Sequence, residues 1–244
     1  MTDGILPMRQ FRDRREAGQS LAAALAHFAK RGDVVVLALP RGGVPVAFEV
    51  AKALAAPLDV LVVRKLGTPG HEELAMGAIA SGGVRILNED VIGALHLSQQ
   101  AIAAESVRQQ REIERREQAY RGGRSPLAVA GKTVIVVDDG VATGATMRAA
   151  VAVLKQHHPL RIVVAVPTAA EDTYQTLCQE ADEVICLARP EPYGAVGNWY
   201  MDFSQTSDLP KCKPCWRRPK RVLAIDPRGP VSTSPLRCST PAPL

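Results

Sequence analysis

Val134-Ile135-Val136-Val137-Asp138-Asp139-Gly140-Val141-Ala142-Thr143-Gly144-Ala145-Thr146 decides how this chain folds. Four apolar β-formers run into two carboxylates, then into a loop of small residues with two threonines. Met147-Arg148-Ala149-Ala150-Val151 follows and reads as the opening of a helix. An unbroken apolar run suits a parallel strand covered on both faces. A helix that opens from Gly, Ala and Thr turns free backbone N–H groups, and the positive end of its dipole, toward an anion. Asp138 and Asp139 then stand at the strand's carboxyl end, where open α/β sheets hold their ligands. Carboxylates repel phosphate, so the pair must face hydroxyls or a metal ion. One ligand carrying a phosphate, a diol and a magnesium ion satisfies the whole stretch.

Outward from this stretch, strands alternate with helices. A first helix is predicted over about 12–30, with Leu21, Leu25 and Phe28 at helical spacing. Residues 34–39 read as a buried strand, Pro40-Arg41-Gly42-Gly43 as a turn, 44–55 as a helix and 58–63 as a second strand ending in Arg64-Lys65. Glycines 67, 70, 77, 82 and 83 mark 66–88 as a mobile loop that leads into short strands near 76–80 and 84–87. Residues 98–120 read as a solvated helix laced with ion pairs, given Arg111, Glu112, Glu114, Arg115, Arg116 and Glu117. Beyond the deciding stretch, strands at 161–166 and 183–187 flank a helix near 171–180. The pattern predicts an α/β fold: a doubly wound parallel sheet of about five strands flanked by helices, with right-handed crossovers.

At 244 residues the chain is long enough for one well-buried α/β domain. Its net charge of +5 is unevenly placed. Residues 210–244 hold eight of the 30 Lys and Arg, one acid (Asp226) and eight of the 18 prolines. That segment carries +7 and the remainder −2, so the basic balance gives no ground for a nucleic-acid face on the body. Hydrophobic periodicity vanishes there too. The expected organisation is a domain over 1–209 and a basic, Pro-rich, disordered tail over 210–244. Cys212-x-x-Cys215 in the tail lacks the further ligands that a four-coordinate zinc site needs. No run is long and apolar enough to span a membrane, and the five cysteines form no regular framework, so a cytoplasmic protein with free thiols is expected.

Residues 136–146 resemble the substrate-binding signature of the type I phosphoribosyltransferases: strand, acid pair, Thr-Gly-x-Thr loop and helix occur in order. No Gly-Lys-Ser/Thr follows, so this is no Walker loop. The resemblance implies a sheet order of 2-1-3-4-5, with a small hood and a flexible loop. It implies that Asp138 and Asp139 hold the ribose 2′- and 3′-hydroxyls of phosphoribosyl pyrophosphate. Ala142, Thr143, Gly144, Ala145 and Thr146 are expected to wrap the 5-phosphate. Arg41, Gly42 and Gly43 match the family's pyrophosphate loop, with a strained non-proline peptide in that turn, the cis form included. Arg64 and Lys65 stand where the family places further basic contacts to pyrophosphate. Residues 68–83, with Glu72 and Glu73, correspond to the loop that closes over the reacting centre and excludes water.

Tyr193, Trp199 and Tyr200 lie within eight residues in a chain poor in aromatics. The family uses this region as a hood, which makes Tyr193 the candidate for stacking on a base; for Trp199 the expectation is that it pins the C-terminal segment. The similarity extends over about 9–208, including Phe11-Arg12-Asp13-Arg14, Tyr120-Arg121-Gly122-Gly123 and Phe203-Ser204-Gln205-Thr206-Ser207-Asp208, and points to an uncharacterised branch. The expected activity is Mg²⁺-dependent transfer of the 5-phosphoribosyl group to a nitrogenous base, with Asp138, Asp139 and Arg41 as catalytic residues. The acid pair meets the metal only through ribose hydroxyls or water. Family enzymes for 6-oxopurines carry an acid where this chain has Ala142, so the resemblance points away from hypoxanthine and guanine. It leaves adenine, another nucleobase or an amine. The alternative is a regulator that senses phosphoribosyl pyrophosphate without turnover. A homodimer is common in the family; membranes and specific nucleic acids are not expected partners.

Overall fold

A computed structural model describes residues 10–205 and 238–239. Helix α1 (Arg14–Ala24) begins at Asp13, whose carboxylate accepts the Glu16 N–H at 2.8 Å. It passes through a 3-10 turn (Ala26–Phe28) into β1 (Val34–Ala38). Helix α2 (Gly43–Leu54) and β2 (Leu58–Val60) complete the first β-α-β unit. The later units supply β6 (Thr133–Val137), α5 (Ala145–Lys155), β7 (Arg161–Thr168), α6 (Glu171–Glu180) and β8 (Glu183–Ala188).

These five strands pair in parallel in the order β2-β1-β6-β7-β8. That is the 2-1-3-4-5 order that the resemblance implied. Strand alternation divides the core into two layers. Val34, Val36, Ala38, Ile135, Val137, Val163 and Ala165 pack with α1 and α2 on one face. Val35, Leu37, Val134, Val136, Ile162, Val164 and Val166 pack with α5 and α6 on the other. All five residues of β6 are buried, because helices cover both faces of it.

The Gly-rich stretch differs in part from expectation. It is a three-stranded antiparallel sheet, β3 (Val63–Thr68), β4 (His71–Ala80) and β5 (Arg85–Leu87); the strands expected near 76–80 and 84–87 are present, and β3 with the first half of β4 replaces the expected mobile loop. Gly77 shows why glycine sits in mid-strand: a Cβ there would stand 2.2 Å from the Ile86 carbonyl oxygen on β5. Gly82 and Gly83 make the β4–β5 turn at positive φ. The second strand read from sequence at 58–63 therefore stops at Val60, and Arg64 and Lys65 belong to the ribbon. The side chains of Glu72 and Glu73 lie outside the described residues.

Helix α3 (Glu89–Ala94), which the sequence reading missed, leads to α4 (Gln99–Arg121). Ion pairs lace α4 as expected, such as Glu112 with Arg115 at 2.8 Å and with Arg116 at 2.7 Å. Its buried stripe of Ile102, Ile113 and Tyr120 packs with Leu66 and Met76 of the ribbon. Most of 210–244, including Cys212-x-x-Cys215, lies outside the described residues. Within it, β9 (Cys238–Ser239) pairs antiparallel with the start of β8. Among the described residues no helix is long and apolar enough to cross a membrane.

Candidate active site

β1 and β6 are hydrogen-bonded neighbours, and the loops leaving their carboxyl ends meet. The first is Pro40-Arg41-Gly42-Gly43, with a cis Pro40–Arg41 peptide. The second carries Asp138 and Asp139. Glycine is required in the first loop by the second: a Cβ on Gly42 would fall 2.0 Å from Asp139 Oδ2, and one on Gly43 would fall 2.6 Å from the Val137 carbonyl oxygen. The backbone of the Arg41 loop thus lies directly on the acid pair, a reason for Gly-Gly that the sequence reading did not give.

Gly42 is the N-cap of α2 and Gly144, at φ 73°, the N-cap of α5, and neither helix start is capped by a side chain. By contrast Asp13, Asn88 and Ser98 cap α1, α3 and α4 with side-chain oxygens. The two helices that start at the site therefore turn first-turn N–H groups outward without a side-chain acceptor. Thr143 and Thr146 are exposed on this loop, Ala142 and Ala145 half-buried. Thr173 braces it from α6: its hydroxyl donates to the Ala142 carbonyl at 2.5 Å, and its methyl occupies the space a Cβ on Gly144 would need. Nothing in the sequence singled out Thr173.

The two acids differ. Asp139 is buried, and Arg14 at the start of α1 donates from Nε to its Oδ2 at 2.7 Å. The Tyr200 hydroxyl donates to the Asp139 main-chain oxygen. Asp138 is half-buried, accepts the Asp139 N–H at 2.8 Å and makes no ion pair among the described residues. Burial, and then the charge of Asp139, pushes the Asp138 carboxyl well above the usual carboxylate range. Burial, and next Asp139, likewise pushes the Tyr200 phenol up, so it stays a donor.

The basic residues divide as well. Arg41 is exposed on its loop. Lys65 lines a cavity of about 480 Å³ with Ala145 and Arg148 of α5, and so joins the side of the site where the second loop enters its helix. Arg64, next along the strand, has its Nε on Gln109 of α4 at 2.8 Å and lies among Arg108, Arg111 and Arg115. The structure therefore groups Lys65 with the α5 loop and places Arg64 against α4. This separation follows from strand alternation, because the pair lies inside β3 and not at the end of the second strand.

Tyr193 lies beneath the hood. It is 9% exposed, its hydroxyl is 3.0 Å from Thr168 Oγ1, and its carbonyl accepts the Trp199 indole N–H at 3.0 Å. With Val196 it fills the space left by Gly140. The ring thus packs the hood onto the acid loop, and Trp199 pins the segment as expected.

A family model described as "Phosphoribosyl transferase domain" matches residues 14–190, and the chain belongs to that family. TT1426 of Thermus thermophilus, known from a crystal structure, is 45% identical to it, with a TM-score of 0.73 over 82% of this chain and 94% of that one. Proteins of two Mycobacterium tuberculosis strains, provisionally named phosphoribosyl transferases, are 51% identical over 201 residues. The match covers 82% of this chain but 45% of theirs, so the chain spans about half the length of these curated relatives.

Proposed function

We propose that this protein transfers the 5-phosphoribosyl group of phosphoribosyl pyrophosphate to a nitrogenous base and releases pyrophosphate. The observation that carries this reading is the contact between the Gly42-Gly43 turn and the Asp138-Asp139 pair, at the carboxyl ends of neighbouring parallel strands. Two helix starts without side-chain caps flank one carboxylate pair. That suits a ligand with phosphate at both ends and a diol between them.

In this reading the N–H groups of 142–146 hold the 5-phosphate, and Thr143 and Thr146 add hydroxyls. Arg41, with the Gly42 and Gly43 backbone, holds the pyrophosphate; Lys65 adds charge from the α5 side. The base nitrogen forms a bond to C1 as the bond from C1 to the pyrophosphate oxygen breaks. Positive charge grows on the sugar, and the acid pair lies where it stabilises that charge. Tyr193 supports the hood, with its hydroxyl on Thr168.

Magnesium fits as an ion carried by the substrate. Among the described residues no group of three or more His, Cys, Asp or Glu forms a cage, whereas an acid pair suits an ion that keeps most of its waters. Asp138 and Asp139 would hold it through water or the ribose hydroxyls. When bound, it neutralises charge on the departing pyrophosphate.

Calorimetry with phosphoribosyl pyrophosphate, with and without Mg²⁺, followed by pyrophosphate release across a panel of bases, tests the reading. Mg²⁺-dependent binding with release for one base supports a transferase and names the acceptor. Binding without release for any base would make the protein a sensor. Absence of binding would reject the site. Converting both Asp138 and Asp139 to Asn is expected to abolish transfer while the fold persists.

A further inference from the structure

The acid pair is built asymmetrically, and the asymmetry comes from a residue 125 positions away in sequence. Arg14 and Asp139 form an ion pair whose side chains are only 10% and 12% exposed. The remaining contacts of Arg14 all lie on the C-terminal segment. Its Nη1 donates to the Ser204 carbonyl at 2.9 Å, and its guanidinium lies 3.9 Å from the Phe203 ring centre and 5.9 Å from that of Tyr200. The same segment is tied to the stretch before α1: Phe11 N–H donates to the Trp199 carbonyl, Met201 N–H to that of Phe11, and Asp202 N–H to that of Arg12.

Asp139 is therefore enclosed. Arg14 stands on one side of its carboxylate, Gly42 on another with no room for a methyl group, and Tyr200 on its main-chain oxygen. Asp138, beside it, also meets the Arg41 loop, its Oδ1 lying 3.1 Å from where a Cβ on Gly43 would stand, but it is half-buried and outside any such ion pair among the described residues.

We propose that Arg14 is a positioning residue that divides the labour of the acid pair. It fixes Asp139 as the carboxylate that locks the Arg41 loop, the acid loop and the C-terminal segment together. Of the two acids that face the sugar diol, Asp138 is left to make the stronger contact with it. This rests on the reading that the pair serves a sugar, and it goes beyond that reading because two adjacent acids would otherwise be equivalent. Removing Arg14 alone leaves a buried carboxylate without its cation, which distorts the loop. Removing both charges does not.

The test is binding of phosphoribosyl pyrophosphate with Mg²⁺ to the full chain, measured by calorimetry beside thermal melts. The variants are D138N, D139N, R14Q, R14K and R14Q/D139N. D138N is expected to lose roughly 30–100-fold in affinity, the worth of charge-assisted hydrogen bonds to hydroxyls. D139N keeps an oxygen for Arg14 and is expected to lose less than about tenfold. R14Q is expected to bind more weakly than R14Q/D139N, and R14K to recover part of the loss. If D139N costs as much as D138N while melting as a folded protein, the division is wrong. An R14Q/D139N variant no better than R14Q overturns it too. Should R14Q fail to fold, the comparison of D138N with D139N still decides. Wild-type protein that binds no phosphoribosyl pyrophosphate would instead reject the sugar-site reading itself.

Discussion

A Cβ on Gly42 would stand 2.0 Å from Oδ2 of Asp139, so the pyrophosphate-loop candidate and the acid loop share one contact surface. Gly42 has φ −60°, an ordinary helical value, so space and not backbone freedom demands glycine there. Gly42→Ala must displace either the Arg41 loop or the Asp139 carboxylate. Overpacking of this kind costs about 1–3 kcal/mol. Affinity for phosphoribosyl pyrophosphate is expected to fall about tenfold or more, the equivalent of about 1.4 kcal/mol or above. Calorimetry beside a thermal melt checks this; an alanine variant with wild-type affinity would mean that the two loops are not rigidly coupled.

Thr173 makes a separable prediction. Its hydroxyl holds the Ala142 carbonyl, and its methyl packs where Gly144 has no side chain. Thr173→Val keeps the shape and loses the hydrogen bond, a change worth about 0.5–1.5 kcal/mol. Thr173→Ala loses the packing as well. Affinity for phosphoribosyl pyrophosphate should fall in the order Thr, Val, Ala, although residue 173 touches no phosphate in the proposed reading. Titrations that rank Val and Ala with wild type would show that the loop holds its shape without α6.

Arg121 tests stability apart from function. Its Nε donates to Asp59 Oδ1 at 2.9 Å and its Nη2 to the Val60 carbonyl at 2.9 Å, with both side chains of the ion pair 7% exposed. Asp59 also accepts the Leu127 N–H at 2.9 Å, which ties α4 and the following loop to the edge strand β2. Arg121→Met leaves a buried carboxylate unpaired and is expected to cost about 3–5 kcal/mol. Urea titration measures it. A loss below about 1 kcal/mol, as for an exposed pair, would contradict this account.

How far the sequence could be read depended on the range of each interaction. The strand and helix of the deciding stretch were legible, because the apolar run of β6 and the small-residue turn are local signals; the strand order and the meeting of the two loops came from the family resemblance. The ribbon was legible only in part: strands near 76–80 and 84–87 were expected, but β3 and the first half of β4 were not, since their glycines and Pro69 resemble loop composition. Taking Arg64-Lys65 as the end of the second strand, with a loop from 66, also put the two residues together, whereas alternation within β3 sends them to different faces. Arg14 and Tyr200 are 125 and 61 positions from Asp139, and no local pattern links them to it. The contrast between Asp138 and Asp139 is for that reason a property of the fold alone.

The tail gives a simpler expectation. We propose 1–209 as the folded unit. The described contact of the tail with it is the two-residue pairing of Cys238–Ser239 with β8. A chain ending at 209 is expected to melt within about 3 °C of the full chain, roughly the effect of 1 kcal/mol in a domain of this size. Differential scanning calorimetry on both chains decides; a larger drop would assign the tail a structural role.

Asp138 should be costly to the fold at neutral pH. Burial and the neighbouring Asp139 raise its pKa in the folded chain, whereas the unfolded chain keeps the ordinary carboxylate value. Between those two values the folded state binds more protons than the unfolded state. Stability then falls as pH rises through that window, the reverse of the usual paired carboxylate. Asp138→Asn removes the term. In ligand-free protein it is expected to raise the melting temperature at neutral pH and to flatten the decline that begins above the ordinary carboxylate range. The same variant is expected to bind phosphoribosyl pyrophosphate poorly, so stability and affinity move in opposite directions at one residue. Calorimetric melts of wild type and Asp138→Asn across that pH range measure the first half. Parallel slopes would mean that Asp138 is not held in the environment described.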